Sequence, residues 1–419
     1  TLGGTRSAVE LPAPPLMAEN ICMLAGRMAN QMVGRAGTFE NTPAQVYARL
    51  RDTQPIVRLQ ALGGRIVFTK AEDVTRVKTD AVHFWSSDTT SPMQRAFGGH
   101  TLMRKDGCPH LRERHAMMPA LTPEHIQNWQ PAFEELTNKL LDQLATQDTV
   151  DLSPAFASPL SAGYLKIVLG LDEDGAARLF DWASALVRGA MNGSNDTKVY
   201  AASDRANAEM NDCFDRMIKQ HRASPDGSVL STMTNAEDPI ELSQIRTNMK
   251  ICIGGAVIET RDALLSTLYG LLSNPDQLRY CITSKNWAEA CEEGLRWVAP
   301  IQVSPRIVKK ALVMRGLNIP QGETVMAIQA SANHDVSYST APDRFDICRS
   351  GPPHQSFGEG AHACLGGPLY RLLAAQVALP KLFERFPALA LDTSFPVTFQ
   401  GFAFRGPKAN CVRLHDTQL

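Results

Sequence analysis

One cysteine set among glycines constrains this chain more than any other feature. Residues 357–366 read Phe-Gly-Glu-Gly-Ala-His-Ala-Cys-Leu-Gly, and an apolar pattern with helical spacing starts directly behind them. Glycine lets the backbone take positive φ and come close to a flat ligand. A cysteine at the start of a helix meets the positive end of the helix dipole, which favours the thiolate. The residues leave two readings open: a structural cysteine buried in a glycine turn, or a thiolate offered to a metal. A thiolate against bound iron is the arrangement that promotes O–O cleavage.

The remaining composition narrows the choice. The chain has 419 residues, 44% hydrophobic and 20% charged, enough to bury a large core. A net charge of −1 creates no global field toward nucleic acid or a membrane. No run of about 18 apolar residues occurs, so no transmembrane helix is expected. The N-terminus lacks a charged stretch followed by an apolar one, so no secretory signal is expected. The nine cysteines are scattered with no C-x-x-C pair. That argues against a zinc or iron–sulfur site or a disulfide scaffold, and fits a reducing cytoplasm. No C-x-x-C-H occurs, so a heme would be held non-covalently.

In chain order, residues 1–40 are rich in Pro, Gly and Ala and read as an N-terminal arm. Residues 41–419 show no linker or repeat and read as one mostly α domain with small β-sheets. Helical spacing predicts helices over 42–52 and 71–77, and a glycine-turned hairpin lies between them over 56–62 and 65–69. Residues 84–102 lack periodicity and read as a long loop, a candidate substrate cover. A helix over 106–118 places His110 and Arg114 four apart on one face. Such donors suit an anionic group; a solvated helix face is the plainer alternative.

The longest helical pattern covers 243–273 and carries Gly254-Gly255 and then Glu259-Thr260. About thirty residues at 1.5 Å each would run roughly 45 Å. Glycines inside a helix cost about 1 kcal/mol each against alanine. The pair therefore implies close helix contact or a ligand edge lying on the backbone. A helix over 288–297 holds Glu293 and Arg296 at ion-pair spacing. Residues 306–313 and 318–327 read as paired strands across Pro320-Gln321-Gly322, and 398–414 alternates enough for strands. The helix behind the cysteine is expected over 365–386, with Pro380 kinking it or ending it early.

The order of these features resembles the soluble bacterial cytochromes P450, from about Pro43 to the C-terminus. The resemblance implies the cytochrome P450 fold, a single triangular domain, mostly α with small β-sheets. It implies a heme b cofactor, with Cys364 ligating the iron, Phe357 packed near the thiolate, and Gly360 and Gly366 giving it room and backbone donors. His110, Arg114, Arg306 and His362 match propionate partners. Glu259 and Thr260 match an acid–alcohol pair that relays protons to dioxygen, a general-acid role. Glu293 and Arg296 match a structural ion pair, completed by Arg344 or Arg349. The sequence departs from the family at Val257, where most members have glycine, so the break in that helix is expected to shift.

Four segments resemble guaiacol-type aromatic O-demethylases: 293–297, 331–335, 345–347 and 404–407. That likeness implies a pocket lined by Phe97, Met103, Ala190, Ile251, Gly255, Val303, Ser304 and Phe404. Ala190 replaces an aromatic residue there, widening the cavity. The expected activity is hydroxylation or O-demethylation of a small, methoxy-substituted aromatic substrate by dioxygen. The alternatives are a terpenoid or natural-product hydroxylase and, in another class, a heme-based gas sensor. Electrons would come from NAD(P)H through a ferredoxin or a flavin or iron–sulfur reductase, either a separate partner or a fused module cut from the chain, since no such module is recognisable in it. Arg104, Lys105, Arg112 and Arg371 are expected to form a basic docking patch for that carrier.

Overall fold

Apolar spacing and strand pairing sort the chain into a helical body and a smaller sheet region. The structure, a computed structural model, describes residues 43–415. The arm expected over 1–40 lies outside them. The principal helices are α1 (Pro43–Thr53), α2 (Ala71–Thr79), α3 (Pro92–Ala96), α4 (Gly107–Met117), α5 (Gln130–Leu144), α6 (Ser158–Leu169), α7 (Glu173–Ala190), α8 (Thr197–Ala223), α9 (Leu242–Gly254), α10 (Val257–Leu272), α11 (Trp287–Trp297), α12 (Gly367–Arg371) and α13 (Leu379–Arg385). None of the described helices is long and apolar enough to cross a membrane.

Strands β1 (Ile56–Leu59), β2 (Arg65–Phe68), β3 (Phe84–Trp85), β4 (Thr149–Asp151), β5 (Ser304–Val308), β6 (Leu312–Met314), β7 (Leu317–Ile319), β8 (Thr324–Ala327), β9 (Ala390–Leu391), β10 (Phe399–Gln400), β11 (Gly406–Pro407) and β12 (Cys411–Arg413) form small sheets. The largest has the order β1-β2-β8-β5-β3. Its β2–β8 pair is parallel and its other pairs are antiparallel. The hairpin β1–β2 turns at Gly63-Gly64, both at positive φ, as the glycine pair predicts.

Helix α10 is the centre of the body. It buries 13 of its 16 residues, and a helix buried nearly all round belongs in the interior rather than on a surface. Its neighbours α6, α7 and α11, and β11, pack around it. Gly294 of α11 permits the closest approach, because a Cβ there would lie 2.0 Å from Thr267 Oγ1.

Four sequence expectations are corrected. The single helix over 243–273 is two helices, α9 and α10, broken at Gly255-Ala256, where Ala256 leaves helical geometry at φ −136°. Gly254 has a packing reason: a Cβ there would come within 2.9 Å of Phe97 Cζ, so the ring sits directly on the helix backbone. The loop over 84–102 contains β3 and α3, whose start is capped by Ser91 accepting from Met93 N–H. Elements of two and five residues are too short to show a period. The paired strands over 306–327 separate into an outer pair, β5–β8, and an inner hairpin, β6–β7. That hairpin turns at Arg315-Gly316, both at positive φ, the conformation that matches strand twist. Finally, the helix does not end at Pro380. A wide π-helical stretch, Leu372–Ala378, precedes α13, and Pro380 falls in the first turn of α13, where its missing N–H leaves no bond unmade.

Candidate active site around Cys364

The cysteine loop is closed by its own backbone. Cys364 N–H donates to the Phe357 carbonyl at 2.7 Å, and Gly358 and Gly360 hold positive φ of 69° and 70°. Burial pushes the Cys364 thiol above its ordinary value, opposed by the Gly366 and Gly367 N–H groups and by Arg114. The amides at the helix start thus favour the thiolate, as expected, but enclosure outweighs them. A cation at the sulfur tips such a balance toward the thiolate. The side chain keeps accessible surface although protein atoms enclose it. Gly366 differs from expectation: its φ is −81° and a Cβ would meet Sγ at an ordinary 3.7 Å. It serves through its N–H rather than by giving room. Phe357 lies beside Gly367, under Arg371 at 4.9 Å from the guanidinium.

Buried cations and imidazoles gather near this loop. Arg114 donates to the Ala363 carbonyl at 2.7 Å, tying α4 to the residue before the cysteine. The His110 and His362 rings lie 4.2 Å apart. His362 Nε2 is 3.2 Å from Asp106 Oδ1. His110 is held at a pKa of about 4 by burial and then by the charges of His362 and Arg114. Its Nε2 is buried with no partner among the described residues. Burial brings Arg306 down to about 10, with Arg104 adding repulsion. Among the described residues, Arg306 makes a side-chain hydrogen bond only to the Pro305 carbonyl, and Arg104 only to Met93 Sδ. Lys78, brought to about 7 by burial, lies within reach of Arg306's charge and is hydrogen-bonded to Gln355. Buried like charges repel and are retained where an anion joins them. An orphaned imidazole nitrogen and under-compensated arginines beside an enclosed but accessible thiol fit a flat, dianionic, iron-bearing heme. Sequence spacing missed Lys78, and placed Arg104 on the surface, because neither lies at helical spacing from His110.

Glu259 and Thr260 begin α10 and part company there. Both Glu259 carboxylate oxygens are buried with no partner among the described residues, and burial raises its pKa to about 8. Its charge is felt at Cys364. Thr260 Oγ1 instead meets the Tyr164 hydroxyl of α6 at 3.0 Å. The Glu259 shift has a consequence for stability. The carboxyl stays protonated in the folded protein up to about pH 8, whereas its ordinary value is 4.5. Between these values the folded state binds the extra proton, so stability falls as pH rises. Thermal melts of the parent from pH 5 to 8 should show this decline, and Glu259→Gln should flatten it. An equal decline in the variant would clear Glu259 of the effect.

The ion pair resolves into a buried triad. Arg296 Nε and Nη2 donate to the two Glu293 oxygens at 2.7 and 2.8 Å, and Arg349 Nε reaches the same carboxylate at 3.2 Å. Arg349 is the third member. Arg344 contributes only its carbonyl, accepting from Arg296 and Arg349. Arg296 also donates to the carbonyls of Asn333 and Pro342.

The residues expected around the substrate fall into two packed groups. Phe97, Ala190 and Ile251 belong to the helical core. Val303 and Phe404 belong to a separate cluster beside the sheet. Ser304 Oγ donates to Gln329 Oε1 at 3.0 Å. Met103 is exposed, and Gly255 lies at the helix break. The basic docking patch is corrected: each cation already has a carboxylate or is buried. Lys105 pairs with buried Glu113, Arg112 with Asp238 and Arg371 with Glu292, while Arg104 points into the cation cluster described above.

The chain is similar to known proteins over most of its length. The family profile described as Cytochrome P450 matches residues 288–408. The biotin biosynthesis cytochrome P450 of Bacillus subtilis is 31% identical over 67% of this chain and 72% of its own length. The cytochrome P450 monooxygenase PikC of Streptomyces venezuelae is 30% identical over 85% of this chain and 86% of its own length. Among solved structures, P450BioI in complex with an acyl carrier protein ligated to hexadec-9Z-enoic acid superposes with a TM-score of 0.82 at 26% identity. That match covers 89% of this chain and 98% of P450BioI.

Proposed function

The chain belongs to the cytochrome P450 family and is a cytochrome P450 monooxygenase; from that premise we propose that it hydroxylates a C–H bond of a larger, mostly apolar natural product. The observation that carries this reading is the set of relatives. Similar proteins include a 6-deoxyerythronolide B hydroxylase, 27% identical over 88% of this chain, and a mycinamicin IV hydroxylase/epoxidase, 30% identical over 87%. None of the named relatives supports O-demethylation of a methoxyarene, which rested on four short segments. The natural-product reading takes its place.

The reaction consumes dioxygen, two electrons and two protons, placing one oxygen in the substrate and one in water. A bound heme supplies the activation of dioxygen. The chain's own residues hold and serve it. Cys364 would hold the iron through its sulfur, and its loop amides and Arg114 support negative charge there. Arg306, Arg104 and Arg114 would supply positive charge to the two propionates, and His110 and His362 would offer ring nitrogens to them. Glu259, protonated at neutral pH, holds a proton in a buried position from which general acid transfer is worth about 10²–10⁴-fold. A gas sensor needs no such buried acid. The electrons come from NAD(P)H through a ferredoxin or flavin-containing reductase, in a reducing cytoplasm.

Spin-state titration tests the substrate class. Macrolides, terpenoids and fatty acyl compounds should move the Soret band from low to high spin at lower concentrations than guaiacol or syringol. Turnover under labelled dioxygen should then give a product heavier by one labelled oxygen atom. A spin shift confined to methoxyarenes, with formaldehyde released, would restore the demethylase reading.

A further inference from the structure

We propose that α6 is a positioning rail for the proton-delivery turn, with Tyr164 fixing the Thr260 hydroxyl and Ser161 fixing the turn that follows the helix break. This rests on the assignment of Glu259 and Thr260 to proton delivery.

The α9–α10 break sets the problem. At Gly255-Ala256 the ladder is interrupted, and Ala256 N–H reaches only the Ile253 carbonyl, at 3.5 Å. The first turn of α10, which carries Glu259 and Thr260, is therefore not held in register by a continuous helix from α9. Two hydroxyls of α6 supply what the helix lacks. Ser161 Oγ donates to the Val257 carbonyl at 2.5 Å. Three residues on, the Tyr164 hydroxyl meets Thr260 Oγ1 at 3.0 Å. Val257 and Thr260 are also three apart, so one face of α6 grips one face of α10 at both ends of a turn. All four residues are buried.

The second bond also decides what Thr260 can do. A helical threonine usually returns its hydroxyl proton to the carbonyl four residues back. Here the Ala256 carbonyl accepts only the Thr260 backbone N–H among the described residues, at 2.9 Å. The bond admits either hydroxyl as donor; with the donation assigned to Tyr164, Thr260's own proton is left available to pass on. Tyr164 is not the source of that proton, because burial pushes its phenol well above its ordinary value. It is a positioning residue. Glu259, whose carboxylate oxygens have no side-chain or neighbouring-residue partner among the described residues, is left as the acid. Gripping the turn that carries Glu259 from a neighbouring helix keeps the carboxyl buried without tying up its oxygens.

The test compares Tyr164→Phe, Thr260→Ala and the double variant as holoproteins. Peroxide formed per NADH is measured with whichever compound shifts the spin state, so a wrong substrate class changes the product but not the comparison. Tyr164→Phe should raise the peroxide fraction about 2- to 10-fold, the range of one net hydrogen bond, with substrate dissociation constant and carbonyl spectrum unchanged. The double variant should be no worse than Thr260→Ala alone, because the two side chains act through one bond. A second readout needs no turnover. The ultraviolet resonance Raman signal of Tyr164, isolated by subtracting the Tyr164→Phe spectrum, should shift on Thr260→Ala. Should Tyr164→Phe fail to load heme, the Raman comparison is made in heme-free protein, with Thr260→Ser retaining the parent signal and Thr260→Val shifting it. Unchanged coupling in Tyr164→Phe, additive losses in the double variant, or a Tyr164 signal indifferent to Thr260 would overturn the proposal.

Discussion

Replacing Cys364 with alanine is expected to abolish the red-shifted Soret band of the reduced carbonyl complex, the largest single effect in this protein. A carbonyl band of this kind reports a thiolate pushing electron density onto the iron. Of the eight free cysteines in the described residues, Cys108 and Cys348 are exposed, and Cys213, Cys281 and Cys291 are buried in the core. Cys252 is the one thiol whose pKa responds to the charge of Cys364, so it is the one rival near the site. Its thiol is pushed up to about 12, first by burial and then by Cys364. It also lacks amides aimed at its sulfur. The Cys252→Ser variant should therefore keep the band and Cys364→Ala should lose it. The opposite pattern would make Cys252 the ligand and overturn the reading of the glycine loop.

The glycine loop was legible because its chemistry is local. Positive φ at Gly358 and Gly360, and a helix start behind Cys364, are written in adjacent residues. The same holds for Glu293 and Arg296, three apart on one helix. What the sequence concealed depends on residues far apart. Tyr164 and Thr260 are separated by 96 positions, and their meeting follows from the packing of α6 on α10. The choice of Arg349 over Arg344 is of the same kind: both follow Asn333, but only one guanidinium turns toward Glu293. The charges expected to dock an electron carrier failed for a related reason. A count of arginines and lysines cannot see Asp238 and Glu292, which neutralise two of them. The break in the long helix lay between these extremes. Gly254-Gly255 marked its place, and Val257 in place of glycine was a sign that it is shifted. Only the ring of Phe97 against Gly254 shows why the first glycine is needed.

Glu293→Ala is expected to cost about 3–5 kcal/mol of folding stability, the loss typical of breaking a buried ion pair from one side. Against a total of about 5–15 kcal/mol for a natural protein, that is enough to lower yield and heme content together. The carboxylate is 4% exposed and accepts from Arg296, Arg349 and the Asp346 N–H. Removing it leaves two guanidinium groups buried without their counter-charge. An apolar swap of both partners would not rescue the site, because Arg296 also carries three carbonyls, of Asn333, Pro342 and Arg344. The damage should travel to the iron ligand. Asn333 Nδ2 donates to Ser356 Oγ, and Asn333 Oδ1 accepts from Gln355 N–H. Ser356 Oγ in turn donates to the Leu295 carbonyl of α11. Ser356 is the residue before Phe357, whose carbonyl closes the cysteine loop. A protein in which Glu293 is lost should thus show a lower urea midpoint and a larger share of carbonyl complex without the thiolate band. Arg349→Ala should fall between this variant and the parent, since Arg296 continues to neutralise Glu293. A Glu293→Ala protein within about 1 kcal/mol of the parent, with its thiolate band intact, would show that the triad neither supports the fold nor holds the cysteine loop.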